Sequence, residues 1–155
     1  MKRASLVLLT RDNKVLLGYK KKAEIGTGTL NGPGGKVEED ETIVACAIRE
    51  TQEEIGVTIR PKDLILVAIV KFFAAGHLDF EVFVYLTKKF SGEPRETRSM
   101  KLPEWYDIQN LPFDKMLESD RHWIPIVLAG KKFRANVYYK GRARDFEKIE
   151  FLPFI

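Results

Sequence analysis

The chain has a single cysteine, Cys46, in 155 residues. No intramolecular disulfide can form, so the expected compartment is a reducing cytoplasm. No apolar run approaches the roughly 18 residues a membrane-crossing helix needs, so no membrane partner is expected. After Lys2-Arg3 the run Leu6–Leu9 is too short for the apolar part of a signal peptide, and Thr10-Arg11-Asp12 is no small-residue cleavage site. There is no internal repeat, low-complexity segment or linker. The two histidines, His77 and His122, stand without a partner pattern for metal binding or nucleophilic catalysis.

The composition is that of an ordinary globular chain, 45% hydrophobic and 31% charged. Its length suits one domain, residues 1–155, with a substantial core. The net charge of +4 favours polyanionic partners, nucleotides among them. Seven Lys/Arg between Lys131 and Lys148 face only Asp145 and Glu147. That run reads first as a solvated face, with RNA or phosphate binding as the less favoured alternative.

Ser5–Thr10 and Val15–Tyr19 read as a β-hairpin. A lysine run and the glycine-rich stretch Gly26–Gly35 follow, then a helix over Thr42–Ile55 stopped by Gly56. Leu64–Phe73 and Phe80–Lys88 are strand-like, Ser91–Arg98 is a loop and Leu102–Ile108 a further strand. Pro112–Leu128 is helical, with Pro125 interrupting it. Phe133–Tyr139 and Lys148–Phe151 form a terminal hairpin. This order predicts an α+β fold with a mixed β-sheet packed between helices, an α/β/α sandwich.

The chemistry concentrates in Gly35–Val57, GKVEEDETIVACAIRETQEEIGV. At about 100° per residue, with Glu50 at zero, Glu53 falls near 300° and Glu54 near 40°. Three carboxylates thus share one arc, while Val44, Ala47, Ile48, Thr51 and Ile55 occupy a neighbouring arc suited to packing. Such a cluster repels itself unless Arg49 or a hard cation offsets the charge, and magnesium prefers oxygen ligands. Gly32, Gly34 and Gly35 are expected to allow positive φ and a close approach to an anion near the helix N-terminus. Cys46 is expected to be inert packing.

The segment 35–57 resembles the Nudix box, G-x5-E-x7-R-E-U-x-E-E-x-G-U with U a bulky aliphatic residue. Gly35, Glu41, Arg49, Glu50, Glu53, Glu54, Gly56 and Val57 match in register, and Thr51 departs from the aliphatic position. The resemblance implies the Nudix fold and a hydrolase that attacks phosphorus in a phosphoanhydride chain. It implies Mg²⁺, with Mn²⁺ as an alternative, held by Glu50, Glu53, Glu54 and a carbonyl near Gly34. Arg49 would orient the carboxylates, and Glu53 or Glu50 would be the general base. Lys20 or Lys21 either holds outer phosphates or belongs to a solvated turn. The further Glu that many members take from a later loop is absent, because Met100 falls at that position; Glu93 or Glu96 is the candidate substitute.

The rest of the chain, including LNGPGGKVEEDET, LPFDKM and KKFRANVYYKG, is similar to the animal relatives of MutT that hydrolyse oxidised purine nucleoside triphosphates such as 8-oxo-dGTP to the monophosphate. In that family Asn31 would read the purine. The family's stacking Trp and first Asp are replaced by Leu117 and Ser119, while Asp120 is kept, either as base reader or as a helix N-cap. Phe73 and Phe80 either line the base pocket or belong to the core; Trp105 and Trp123 are read as core. The expected partner is a nucleotide and the expected state a monomer. The alternatives are a Nudix enzyme for ordinary dNTPs, nucleotide sugars, dinucleoside polyphosphates or RNA caps, or a Nudix module that binds without cutting.

Overall fold

A computed structural model describes residues 2–21 and 27–155. Lys22 and Gly26, part of the lysine and glycine-rich approach singled out above, lie outside the described residues. The strands are β1 (Lys2–Arg11), β2 (Lys14–Lys20), β3 (Leu30–Asn31), β4 (Gly34–Lys36), β5 (Ile65–Ala74), β6 (His77–Thr87), β7 (Met100–Asp107), β8 (Phe133–Gly141) and β9 (Arg144–Leu152). The helices are α1 (Ile43–Ile55) and α2 (Asp120–Leu128).

The strands form one mixed sheet in the order β3-β2-β1-β6-β5-β8-β9, with β4 on β1 and β7 on β2. The parallel pairs are β1 with β6 and β5 with β8. Strand β1 is buried without a break from Ala4 to Leu9, as expected for a central strand covered on both faces. It forks the sheet. Thr10 and Arg11 pair with β2, while Ala4–Leu6 pair with β4. Val7 and Leu9 pack beneath α1 with Ala47 and Ile55. Leu6 and Leu8 join the cluster on α2, with Trp123, Ile124 and Val127. The sheet therefore lies between the two helices, as the sequence predicts.

The ends of α1 are set chemically. Thr42 Oγ1 accepts the Ala45 N–H (3.0 Å) as N-cap, and Gly56 closes the helix at φ 72° with its N–H on Gln52 O. Thr51, the departure from the aliphatic pattern, is fully buried and donates its hydroxyl to Ala47 O at 2.8 Å. Its polar atom is satisfied inside the helix, so packing survives the substitution.

Two expectations need correction. Pro125 does not interrupt the second helix; α2 runs through it. The ring removes the bond that an N–H there would have made to the Arg121 carbonyl, in the first turn. The break falls earlier, after a short 3₁₀ turn at Phe113–Lys115, where Met116 is extended at φ −112° and ψ 173°. Gly32, Gly34 and Gly35 do not take positive φ. They are glycines because of close approach: a Cβ on Gly34 would lie 2.0 Å from Ser5 O, and one on Gly32 2.4 Å from Val7 O.

Candidate active site

A cavity of about 400 Å³ opens between the start of β4, α1 and the mouth of the sheet. Lys20, Gly34, Glu50, Glu53 and Glu54 line it from one group of elements, and Asn31, Phe72, Phe80, Leu117, Asp120 and Trp123 from another. Residues far apart in sequence thus meet because β1 forks and brings β4, β6 and the helix-bearing segments around one opening.

The three glutamates have different surroundings. Glu54 is buried at 4% exposure; it accepts the Gly34 N–H (2.7 Å) and is paired with Lys20 Nζ (2.9 Å). Glu50 is held by Arg49 at 2.8 Å, and a Cβ on Gly35 would come within 2.6 Å of its carboxyl carbon. Burial, reinforced by the charge of Glu54, pushes the Glu50 pKa up. The Glu53 side chain is 55% exposed, with Arg49 at 3.2 Å. The packing sector of α1 is therefore turned towards the carboxylates: Cys46 and Glu54 are buried with Ala47, Thr51 and Ile55, and the two arcs overlap.

Arg49 is the hub. It meets Glu41 (2.6 Å), Glu50, Glu53 and, at 3.4 Å, Glu38. Its hydrogen bonds hold the Glu41 carboxyl down to about pKa 2, and Glu41 in return raises the guanidinium. Arg49 bridges these carboxylates and does not line the cavity. Cys46 is buried and lies 3.4 Å from Ser5 Oγ; desolvation raises its thiol pKa. Its burial agrees with the packing position expected of it.

Lys20 Nζ also donates to Gly34 O at 2.9 Å. Its ammonium thus sits between the backbone carbonyl and the buried carboxylate, and an all-oxygen set of this kind suits a hard divalent cation. As built, the three carboxylates do not converge on one point: Glu54 turns to Lys20 while Glu50 and Glu53 turn to Arg49.

Among the base-reading candidates, Asn31, Leu117, Asp120 and Phe80 line the cavity. Asp120 is 1% exposed; burial pushes its pKa up to about 7, opposed by the hydrogen bond it accepts from the Leu117 N–H (3.2 Å). It is the first residue of α2 and not the N-cap, a position held by Ser119.

Three substrate-binding candidates are not part of the lining. Phe73 faces away and stacks on Tyr138 at 4.9 Å; Phe72, paired across the hairpin with Phe80, takes the wall position. Alternation along β5 is the signal that could have found it: Ala68, Val70 and Phe72 are buried in turn, and the register shift beside Phe72 leaves its extra residue, Asp79, in β6. Ser119 is fully buried against Tyr139. Lys21 donates to Thr97 O at the surface. Met100 is buried, and neither substitute reaches the cavity: Glu96 accepts from the Leu102 N–H, and Glu93 is exposed near Arg11. Ser99 lines the cavity instead. Trp123, read as core, is both core and cavity wall.

A Glu-bearing helix entered from a glycine strand, beneath a forked mixed sheet, defines the architecture of a Nudix protein. The NUDIX domain family matches residues 1–126, and the chain belongs to it. Enzymes of this family are hydrolases that generally work with a divalent metal ion. The chain is 37% identical to the oxidized purine nucleoside triphosphate hydrolase of Danio rerio over 142 residues, 91% of this chain and 87% of that protein. It is 36% identical to the mouse (Mus musculus) protein of the same name, over 83% of this chain and 81% of the other. The MutT protein of Bacillus halodurans superposes with a TM-score of 0.79 at 22% identity, covering 97% of each chain.

Proposed function

We propose that this chain hydrolyses oxidised purine nucleoside triphosphates, 8-oxo-dGTP being the type substrate, to the monophosphate and pyrophosphate. The observation that carries this is one cavity holding both the box glutamates and the pair Asn31 and Asp120. The relatives in fish and mouse bear the name of this activity.

Glu50, Glu53, Glu54 and Gly34 O are the residues that would hold Mg²⁺. When bound there, the cation neutralises phosphate charge and acidifies water. Glu53, exposed at the rim, is best placed to accept the proton as the water oxygen bonds to phosphorus and the bond to the pyrophosphate oxygen breaks. Arg49 pairs with Glu50 and Glu53 and orients their carboxylates. Lys20 Nζ lies on Gly34 O and Glu54, the oxygens the cation would take, so cation binding would release its charge towards incoming phosphates. Asn31 offers both a donor and an acceptor to a purine edge. Asp120, with a pKa near 7, can present either a donor or an acceptor there near neutral pH.

Residues 1–155 are read as one domain acting as a monomer. The pairing of β8 with β5 and the burial of Phe133, Ala135, Val137 and Tyr139 support extending the unit beyond residue 126. The site is tested by measuring pyrophosphate and orthophosphate release from 8-oxo-dGTP, 2-oxo-dATP, dGTP, dATP, ADP-ribose and diadenosine polyphosphates, with EDTA as control. EDTA-sensitive pyrophosphate release favouring an oxidised purine is the expected result. Equal cleavage of ordinary dNTPs would mean that Leu117, lacking an aromatic face, leaves the pocket general. No cleavage of any nucleoside triphosphate would overturn the reading.

A further inference from the structure

Ser119 stands where the resembling family has a base-reading carboxylate, yet it is fully buried and absent from the cavity wall. Its partner is Tyr139 of β8, itself 3% exposed. The Tyr139 hydroxyl donates to Ser119 Oγ at 2.8 Å and accepts the Ser119 N–H at 3.0 Å. Both atoms of one residue are thus engaged by one phenol from a strand twenty residues further on. The adjoining residues are tied to the same hairpin. His122 stacks on Phe146 at 4.9 Å, Phe146 meets the Tyr139 ring edge-on at 5.6 Å, and the Phe146 N–H donates to Glu118 Oε1 at 3.1 Å.

The segment so held is the turn that presents Leu117 and Asp120 to the cavity. Within it the Asp120 N–H bonds to Leu117 O, and Asp120 Oδ2 accepts the Leu117 N–H. The turn is therefore rigid inside, and its placement relative to the sheet depends on what grips it from outside. Ser119 supplies no side-chain cap to α2, so its hydroxyl is committed to Tyr139. Removing the phenol oxygen would orphan a buried N–H and a buried hydroxyl together.

We propose that Tyr139 is a positioning residue that sets base discrimination: with Ser119 as its receptor, it clamps the Leu117–Asp120 turn against the C-terminal β8–β9 hairpin. Ser119 is then a built anchor and not a vestige of a lost reader. The inference deepens the proposed function and rests on it for the meaning of Asp120, although the clamp itself does not. It places a specificity determinant beyond residue 126, outside the stretch the family match covers.

The experiment compares wild type, Tyr139→Phe, Ser119→Ala and the double variant by two readouts. The first is KM and kcat for 8-oxo-dGTP and for dGTP. Tyr139→Phe should raise KM for the preferred nucleotide at least about fivefold, with a smaller change in kcat, and narrow the preference. Ser119→Ala, which keeps the bond from its N–H, should do less, and the double variant should match Tyr139→Phe alone. The second is amide hydrogen exchange, which needs no substrate. Exchange of the Ser119 amide and its neighbours to His122 should accelerate in Tyr139→Phe, while β5 and β6 stay protected. Unchanged exchange at Ser119 overturns the clamp whatever the enzyme cleaves. Faster exchange with an unchanged KM ratio overturns its role in discrimination. A wild type that cleaves no purine triphosphate fails the substrate reading alone, and exchange still decides the clamp.

Discussion

At Asp120 a carboxyl is almost fully enclosed, with the Leu117 N–H as its recorded hydrogen-bond partner. Its pKa is raised from 3.8 to about 7. Between those values the unfolded chain has released a proton that the folded chain keeps, so folding weakens as pH rises through that window. The contribution is fully present below about pH 4 and gone above about pH 7. Asp120→Asn cannot titrate, so denaturant unfolding should show the variant gaining on wild type as pH climbs from 4 to 7 and holding a constant lead above. A lead independent of pH would mean that Asp120 is ionised throughout. Glu53 poses the opposite case, an exposed carboxylate whose loss costs the fold little. Glu53→Gln should lower kcat by about a hundredfold or more while nucleotide affinity stays within about threefold. Isothermal titration with a nucleotide beside a turnover assay separates the two. A binding module would show no turnover to lose.

Among the elements, β4 shows how backbone spacing builds the site. Gly34 and Gly35 are adjacent, yet their neighbours differ in kind. A methyl on Gly34 meets the Ser5 backbone at 2.0 Å, where nothing can yield without breaking the β1–β4 pairing. One on Gly35 meets the end of the Glu50 side chain, which can swing away. Gly34→Ala should therefore destabilise by about 1–3 kcal/mol or more, visible as a lowered Tm. Gly35→Ala should melt near wild type but lose about tenfold or more in kcat, because a displacement of about 1 Å at a catalytic group can cost a hundredfold. If both variants melt and turn over alike, β4 is not positioning Glu50. Much of α1 was legible in advance: its carboxylate register and its extent from Thr42 to Gly56 follow from side-chain periodicity and capping, and the β1–β2 and β5–β6 hairpins from apolar runs split by turns, whereas β4 and the order of the sheet were not. The direction of Phe72 was open to reading from its alternation with Lys71 along β5, whereas that of Ser119 was hidden by a partner twenty residues away. The role of Gly34 and Gly35 was misassigned to φ because the approach of the Ser5 backbone to one and of the Glu50 side chain to the other leaves no mark in the sequence.

For the molecule as a whole, the boundary of the folding unit matters more than its catalytic box. The family match ends at residue 126, inside α2. If the unit ended there, β5 would be an edge strand exposing its backbone, and such edges recruit other chains. Instead β8 pairs with β5 in parallel register from Ala68↔Phe133 to Ala74↔Tyr139, and β9 covers β8. Parallel pairing needs a long crossover; the chain makes it through β6, β7 and α2, and α2 buries Trp123, Ile124 and Val127 in the same cluster as Val137. The hairpin is thus structural as well as positional. A chain truncated after Gly130 should lose cooperative thermal unfolding and aggregate at concentrations where the full chain stays dispersed. Circular dichroism melts and sedimentation velocity on both chains would measure this. Should the truncated chain melt cooperatively near the full-length temperature, the hairpin would be an appendage to a smaller domain. The grip of Tyr139 on the base-reading turn would then have to be judged from discrimination and exchange alone.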